Sequence, residues 1–260
     1  MKRYDRAFDL ASDVINENFT ARKKKNSALM TNLPIKLFEM GSNQWRYYDN
    51  FTSGKQQIHY FHSNGLAAIN NQAGKLVATL PEAETPVTDN FVHDPWRPVP
   101  SLGGHSSFPA GVFERSLLDC RTDIVTYTSE PLTTDLHLLG SPMLEIQAQA
   151  DSDSFDLCAI LSRMTADGKV YNISQGYCRI DQAKAIVNLS LQATCIKISK
   201  GDRLRLSLSG ACFPAYNVNS GTRKALAETQ LLEQQVITIR IELGKNFKSK
   251  LCLNLNENTV

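Results

Sequence analysis

The run Arg203-Leu204-Arg205-Leu206-Ser207-Leu208-Ser209 places a leucine at every second position with polar residues between. Successive side chains of a strand point to opposite faces, so this is the pattern of a half-buried antiparallel strand; a helix would scatter the same leucines around its surface. Similar short runs occur at residues 35–40, 58–62, 76–80, 124–128, 143–150, 157–164, 170–174, 186–191, 236–243 and 251–255. Turn signals separate them, notably Asp167-Gly168, Lys200-Gly201-Asp202 and Gly140-Ser141-Pro142. Many short strands with intervening turns imply an all-β chain, and the long connections favour a jelly-roll β-sandwich over an up-and-down barrel.

Before Pro34 the period changes. Tyr4, Phe8, Ala11 and Ile15 are spaced by four, three and four residues, which puts them on one face of a helix with Val14 beside them. One amphipathic helix is expected from residue 4 to about 18, followed by a polar linker that contains Arg22-Lys23-Lys24-Lys25. The expected division is residues 1–33, helix and linker, and residues 34–260, the sandwich. A shorter stretch of helical period runs from Lys224 to about Gln235.

No stretch approaches the roughly 20 consecutive apolar residues of a spanning helix. Nor is Met1-Lys2-Arg3-Tyr4-Asp5 followed by the apolar core of a signal peptide. No membrane partner is expected, and the expected setting is cytoplasmic. With 28 Lys and Arg against 26 Asp and Glu, the net charge is +2. That balance lacks the concentrated basic face that displaces counterions from phosphates, so no nucleic-acid partner is expected. Cys120, Cys158, Cys178, Cys195, Cys212 and Cys252 are widely spread, with no Cys-x-x-Cys pair, and are expected as free, mostly buried thiols rather than zinc ligands.

Candidate chemistry is sparse. No Gly-x-Ser-x-Gly elbow, Gly-x-Gly-x-x-Gly or phosphate-binding loop occurs. Asp151-Ser152-Asp153-Ser154-Phe155-Asp156 alternates oxygen donors as a calcium loop does, but it lacks the central glycine and distal glutamate, so a polar turn between two strands is expected there. His59, His62, His93, His105 and His137 form no metal-ligand spacing. No metal site and no cofactor are expected. His105, after Gly103-Gly104, sits in a loop from which it can reach a neighbouring site. Trp45 and Trp96 lie in turn-like contexts, where an indole either stacks on a sugar or peptide or pins a loop. Trp45, Trp96 and His105 are the candidate binding residues.

Several segments, in order, carry a family resemblance. Pro34-Ile35-Lys36-Leu37-Phe38-Glu39-Met40-Gly41 with Asn43-Gln44-Trp45-Arg46 resembles the first strand and "VMG…W" turn of the C-terminal domain of X-Pro dipeptidyl-peptidase and cocaine-esterase-like serine hydrolases. Asp94-Pro95-Trp96-Arg97-Pro98-Val99-Pro100-Ser101-Leu102-Gly103-Gly104 is similar to its "DP…PVPSLGG" segment, and Arg121 to Leu132 to its "R.DVLVYTSEPL" strand. Tyr4-Asp5-Arg6 resembles the last helix of that family's catalytic domain. One segment departs: where the family has "S..FPR.DRN", this chain has Ser209-Gly210-Ala211-Cys212-Phe213-Pro214-Ala215-Tyr216-Asn217-Val218-Asn219.

The resemblance implies a galactose-binding-like jelly roll packed against an α/β-hydrolase domain. In that family the Ser, Asp and His of the triad lie in the catalytic part that precedes this region, so no catalytic residue carries over. The implied function is a non-catalytic domain that shapes a substrate cleft and supports domain or subunit packing, with a catalytic domain or chain, or a second copy, as partner. Whether the chain is itself an enzyme is left open. The alternative is a stand-alone carbohydrate- or ligand-binding module.

Overall fold

The structure is a computed structural model that describes residues 35–48, 54–82, 85–105, 107–224 and 228–256. The helix and linker expected over residues 1–33 lie outside the described residues. Among the described residues the chain forms β1 (Ile35–Glu39), β2 (Gln44–Tyr48), β3 (Gln56–His62), β4 (Lys75–Val77), β5 (Val87–His93), β6 (Ile124–Ser129), β7 (Leu136–Gly140) and β8 (Met143–Ala150). Then follow β9 (Phe155–Met164), β10 (Val170–Ile180), β11 (Lys184–Ser190), β12 (Thr194–Ile198), β13 (Arg203–Ser209), β14 (Ile237–Leu243) and β15 (Lys250–Asn254). No described helix is long and apolar enough to cross a membrane.

β1 pairs with β2, and β7 with β12, as separate two-stranded sheets. Residues 35–37 and 46–48 belong to one compact unit, in which the Lys36 ammonium lies 5.5 Å from the centroid of the Tyr47 ring. In the other unit one hydrogen-bonded path runs β10-β9-β13-β6-β4-β3-β15-β8-β14-β5, with β11 paired to β8. Among the described residues only β4 and β6 run parallel along it. Leu204, Leu206 and Leu208 of β13 share one apolar cluster with Leu157, Ala159 and Leu161 of β9 and with Ile237, Ile239 and Ile241 of β14. β9 and β14 lie near opposite ends of the path, so a shared cluster requires its two halves to face each other as a β-sandwich. Each fully buried leucine or isoleucine there contributes about 1.5–3 kcal/mol.

The polar face of β13 corrects the half-buried expectation. Arg205, Ser207 and Ser209 are 6%, 2% and 5% exposed. Irregular chain covers them, and each finds a partner: Arg205 Nε donates to Thr128 Oγ1 at 2.9 Å, Ser207 Oγ to Asp119 Oδ1 at 3.0 Å, and Ser209 Oγ to the Ala211 carbonyl at 2.8 Å. Alternation alone does not distinguish a face turned to water from one turned to a saturated polar layer.

β2, β5, β7 and β12 are strands that the apolar runs do not mark. β5 contains Asp89 and Asn90, residues depleted from strands. Asp89 is fully buried and saturated: it accepts from Ser63 Oγ at 2.8 Å, the Ala67 N–H at 3.0 Å and the Tyr127 hydroxyl at 2.9 Å. Burial, then the Asp89 carboxylate, holds the Tyr127 hydroxyl far above its ordinary value. The helical stretch from Lys224 to Gln235 yields only a 3₁₀ turn, Leu231–Glu233, among the described residues.

His59 on β3 is buried, and neither ring nitrogen has a hydrogen-bond partner among the described residues. Burial lowers its pKa from the ordinary 6.5. His93 is lowered too, by burial working against its bond to the Asn219 carbonyl. Both are therefore neutral in the fold at pH values where the unfolded chain already takes up protons. Stability from these histidines is intact above about pH 6.5 and declines as pH falls below it, by up to about 1.4 kcal/mol per pH unit for each histidine. Urea midpoints at pH 8 and pH 5.5 measure this; His59→Phe is expected to flatten the dependence, and an unchanged slope contradicts the assignment.

Candidate functional site

The segments 94–104 and 209–219 pack on each other. The Ser101 N–H donates to the Phe213 carbonyl at 2.7 Å and the Phe213 N–H to the Val99 carbonyl at 2.9 Å. Gly103 and Gly104 then turn the chain at φ of +66° and +77°. A side chain at Gly104 would also collide with the Gln175 amide beneath it. Gly104 and Gly111 exchange two backbone hydrogen bonds, 2.7 and 2.9 Å, closing a hairpin. Near its tip Phe108 is fully exposed, at 101%, and Val112 is 59% exposed. The return limb is clamped by Asn172, whose Oδ1 accepts the Phe113 N–H at 2.6 Å and whose Nδ2 donates to the Gly111 carbonyl at 3.0 Å.

Behind the hairpin, β10 carries a bulge. Asn172 pairs with Ser162 and Ser174 with Leu161, so Ile173 is the extra residue. Over this bulge lie two cavities of about 420 and 190 Å³ that share Met40, Val112, Asn172 and Ile173 and so form one groove. Arg163 and Tyr171 line the larger. The Arg163 guanidinium sits 5.6 Å from the centroid of the Tyr171 ring, and its nearest carboxylate oxygen, Asp202 Oδ2, is 3.8 Å from Nε, beyond hydrogen-bond length. His105, Gln175 and Gln192 line the smaller. Gln175 is 3% exposed, and its Nε2 has no acceptor among the described residues.

The three sequence-predicted residues do not converge. His105 reaches the groove. Trp45 is 40% exposed and packs edge-on against Phe38 at 5.6 Å, outside the groove lining. Trp96, 51% exposed, belongs to the turn in which its backbone N–H donates to Asp94 Oδ1 at 3.0 Å. Arg163, Tyr171, Ile173 and Gln175 carry no motif; strand register and a bulge, invisible in residue order, place Arg163 and Tyr171 at the larger cavity, Gln175 at the smaller and Ile173 at both.

Asp156, from the Asp151–Asp156 stretch expected as a polar turn, is 1% exposed and serves as a hub. It accepts from Tyr177 at 2.7 Å, Arg179 at 2.9 and 3.1 Å, and Asn219 at 2.8 Å. Asn219 belongs to the segment that departs from the family pattern, and its carbonyl lies 2.8 Å from His93 Nε2. In the same segment Tyr216 stacks on Tyr177, with centroids 4.3 Å apart. Among the described residues the hydrogen-bonded histidine rings meet a carbonyl, at His93, and a carboxylate, at His137, whose Nδ1 lies 2.6 Å from Glu39 Oε1. The six cysteines are free. Burial pushes the Cys178 thiol up to about 11, so it stays protonated at neutral pH.

The model of the X-Pro dipeptidyl-peptidase C-terminal non-catalytic domain matches residues 26–251. Cocaine esterase from Rhodococcus sp. (strain MB1 Bresler) is 26% identical over 236 residues, covering 84% of this chain and 41% of that protein. An aminopeptidase structure from a marine sediment archaeon, Thaumarchaeota archaeon, superposes with a TM-score of 0.74 at 18% identity over 85% of this chain and 40% of its own. An alpha-amino acid ester hydrolase gives 0.71 at 19% identity over 85% of this chain and 41% of its own. The chain thus spans about two-fifths of the length of these relatives, and the two superpositions show a shared fold.

Proposed function

The chain belongs to the family of X-Pro dipeptidyl-peptidase C-terminal non-catalytic domains, and from that premise we propose that it docks on an α/β-hydrolase catalytic domain or chain and shapes the mouth of its substrate cleft. The observation that carries this is the Gly104–Gly111 hairpin. It continues the segment most like the family's, and its return limb is held by Asn172 at Gly111 and Phe113 while Phe108 is presented wholly to water. A pinned hairpin with an exposed apolar tip is a contact feature, because solvent gains nothing from that order and a partner does. Trp45 and Trp96 are further proposed contacts, each with an exposed apolar ring and a polar N–H. The jelly-roll, galactose-binding-like description is part of the same proposal, as is a cytoplasmic setting, where six free thiols stay reduced.

Alone, the chain is expected to be inert toward a fluorophosphonate probe and a nitrophenyl ester; labelling of one of its own serines with turnover overturns the proposal. Used as bait in cell extract, it is expected to retain a fluorophosphonate-reactive serine hydrolase. Burying a phenylalanine is worth about 1.5–3 kcal/mol, so Phe108→Asp is expected to reduce that recovery about tenfold or more. Equal recovery by both baits removes the hairpin from the interface, and self-association by light scattering that Phe108→Asp abolishes reassigns the tip to a second copy.

A further inference from the structure

We propose that the free edge of β11 is a docking surface for a second copy of this chain, the two β11 strands pairing antiparallel about a two-fold axis at Ile186. Among the described residues β11 has a strand neighbour on one side only, β8. Lys184 to Ser190 pair with Gln149 to Met143 in unbroken register. Both ends of the ladder show which pairs exchange hydrogen bonds: the Ala150 N–H donates to the Ala183 carbonyl, and the Leu191 N–H to the Pro142 carbonyl. Exchange alternates along an antiparallel pair. Ala185, Val187 and Leu189 therefore bond to β8, and the N–H and C=O groups of Lys184, Ile186 and Asn188 point away from it. Among the described residues no backbone group bonds to these outward groups. The open stretch ends at Ser190, whose carbonyl lies so close to Gly176 of β10 that an added Cβ there would sit 2.7 Å from it.

Strand edges exposed to water are ordinarily guarded by a charge, a proline or a bulge. β11 has no proline and no bulge, and its one charged side chain is held elsewhere. Lys184 Nζ lies 2.9 Å from Glu242 Oε2 on β14 and 5.5 Å from the centroid of the Phe247 ring. Ile186 is 60% exposed, and a cavity of about 430 Å³ opens alongside residues 185–188. An incoming strand must offer outward groups at alternate positions and bring no cation to Lys184. β11 itself meets both conditions. With the axis at Ile186, the midpoint of the open stretch, Lys184 of each copy faces Asn188 of the other and Ile186 faces Ile186. Each such pair exchanges two N–H···O bonds, and no like charges are opposed. An axis at Lys184 would set two ammonium groups against each other. One strand pair buries less than the roughly 1,200 Å² of stable complexes, so the dimer is weak and concentration-dependent. The pairing uses no residue of the Gly104–Gly111 hairpin and goes beyond the docking proposed above.

The test is sedimentation velocity of the full chain from about 1 to about 300 μM, the range in which an interface of this size associates. Reversible passage from monomer to dimer is expected. Ile186→Lys and Ile186→Glu, at a side chain already in water, are each expected to weaken the dimer about tenfold without moving the urea midpoint, because like charges then meet at the axis. An equimolar mixture of the two variants is expected to restore association, since opposite charges then meet there. Ile186→Pro removes an outward N–H and leaves the β8 ladder intact, and is expected to abolish the dimer. Phe108→Asp is expected to leave it unchanged. The proposal is overturned by a monomer throughout the range, by a dimer that survives Ile186→Lys or Ile186→Pro, by a mixture that associates no more tightly than either variant alone, or by a dimer that Phe108→Asp abolishes.

Discussion

Asp119→Ala is expected to lower the free energy of unfolding by about 3–5 kcal/mol, because it strands two buried arginines without a counter-charge. Asp119 is fully buried, and Arg115 and Arg205 are 4% and 6% exposed. Its Oδ1 accepts from Arg115 Nε at 3.0 Å and from Ser207 Oγ at 3.0 Å, while its Oδ2 faces Arg205 NH1 at 3.9 Å. Burial lowers the Arg205 pKa, with Asp119 the chief force opposing that. Removing the carboxylate leaves like charges close together in a poorly solvated layer. Ser207→Ala, which removes one neutral donor from the same cluster, is expected to cost about 1 kcal/mol. Urea denaturation of the two variants decides the matter: equal losses would sink the charge argument. Adding Arg205→Met to Asp119→Ala is expected to restore part of the loss, since it removes an unpaired charge. Asp119 lies in the 3₁₀ turn Leu118–Cys120 that follows the hairpin's return limb, so the variant is also expected to loosen the presentation of Phe108.

Asp156→Ala is the second large effect, at about 2–4 kcal/mol. Four hydrogen bonds are lost at once, from Tyr177, Arg179 and Asn219. Arg179 is 39% exposed and regains water, which keeps the cost below that of Asp119→Ala. The more specific readout is local. Asn219 Oδ1 accepts the Gly221 N–H at 2.9 Å and its carbonyl holds His93, so the 210–221 segment is expected to lose hydrogen-exchange protection well beyond the global change. Uniform loss across the sandwich would show that the hub contributes stability without organising that segment. The departure from the family pattern is structurally self-consistent: Asn219 and Tyr216 engage Asp156 and Tyr177 through neutral groups in a segment from which two bases and an acid are missing.

Residue order alone established the class of fold and its approximate strands. The period-2 run at β13 and the runs at β8, β9 and β14 are local signals, read within seven to ten residues. The segment from Asp94 to Gly104 likewise identified the family from contiguous residues, and residues 26–251 match it. Neighbour relations were not legible, because alternation says which way a side chain points and not what lies there. Asp119 meets Ser207 across 88 positions, and Asp156 meets Asn219 across 63. The polar face of β13, which reads as solvent-exposed, is buried against partners distant in sequence, Asp119 and Thr128, and against the Ala211 carbonyl. The cavities depend on the tertiary structure still more: His105 was visible as a loop residue, but strand register and one bulge bring Arg163, Tyr171 and Ile173 to one cavity and Gln175 to the other. Periodicity is a property of the backbone, which every sequence window shares, whereas a site is a set of distances, which only the closed sandwich defines.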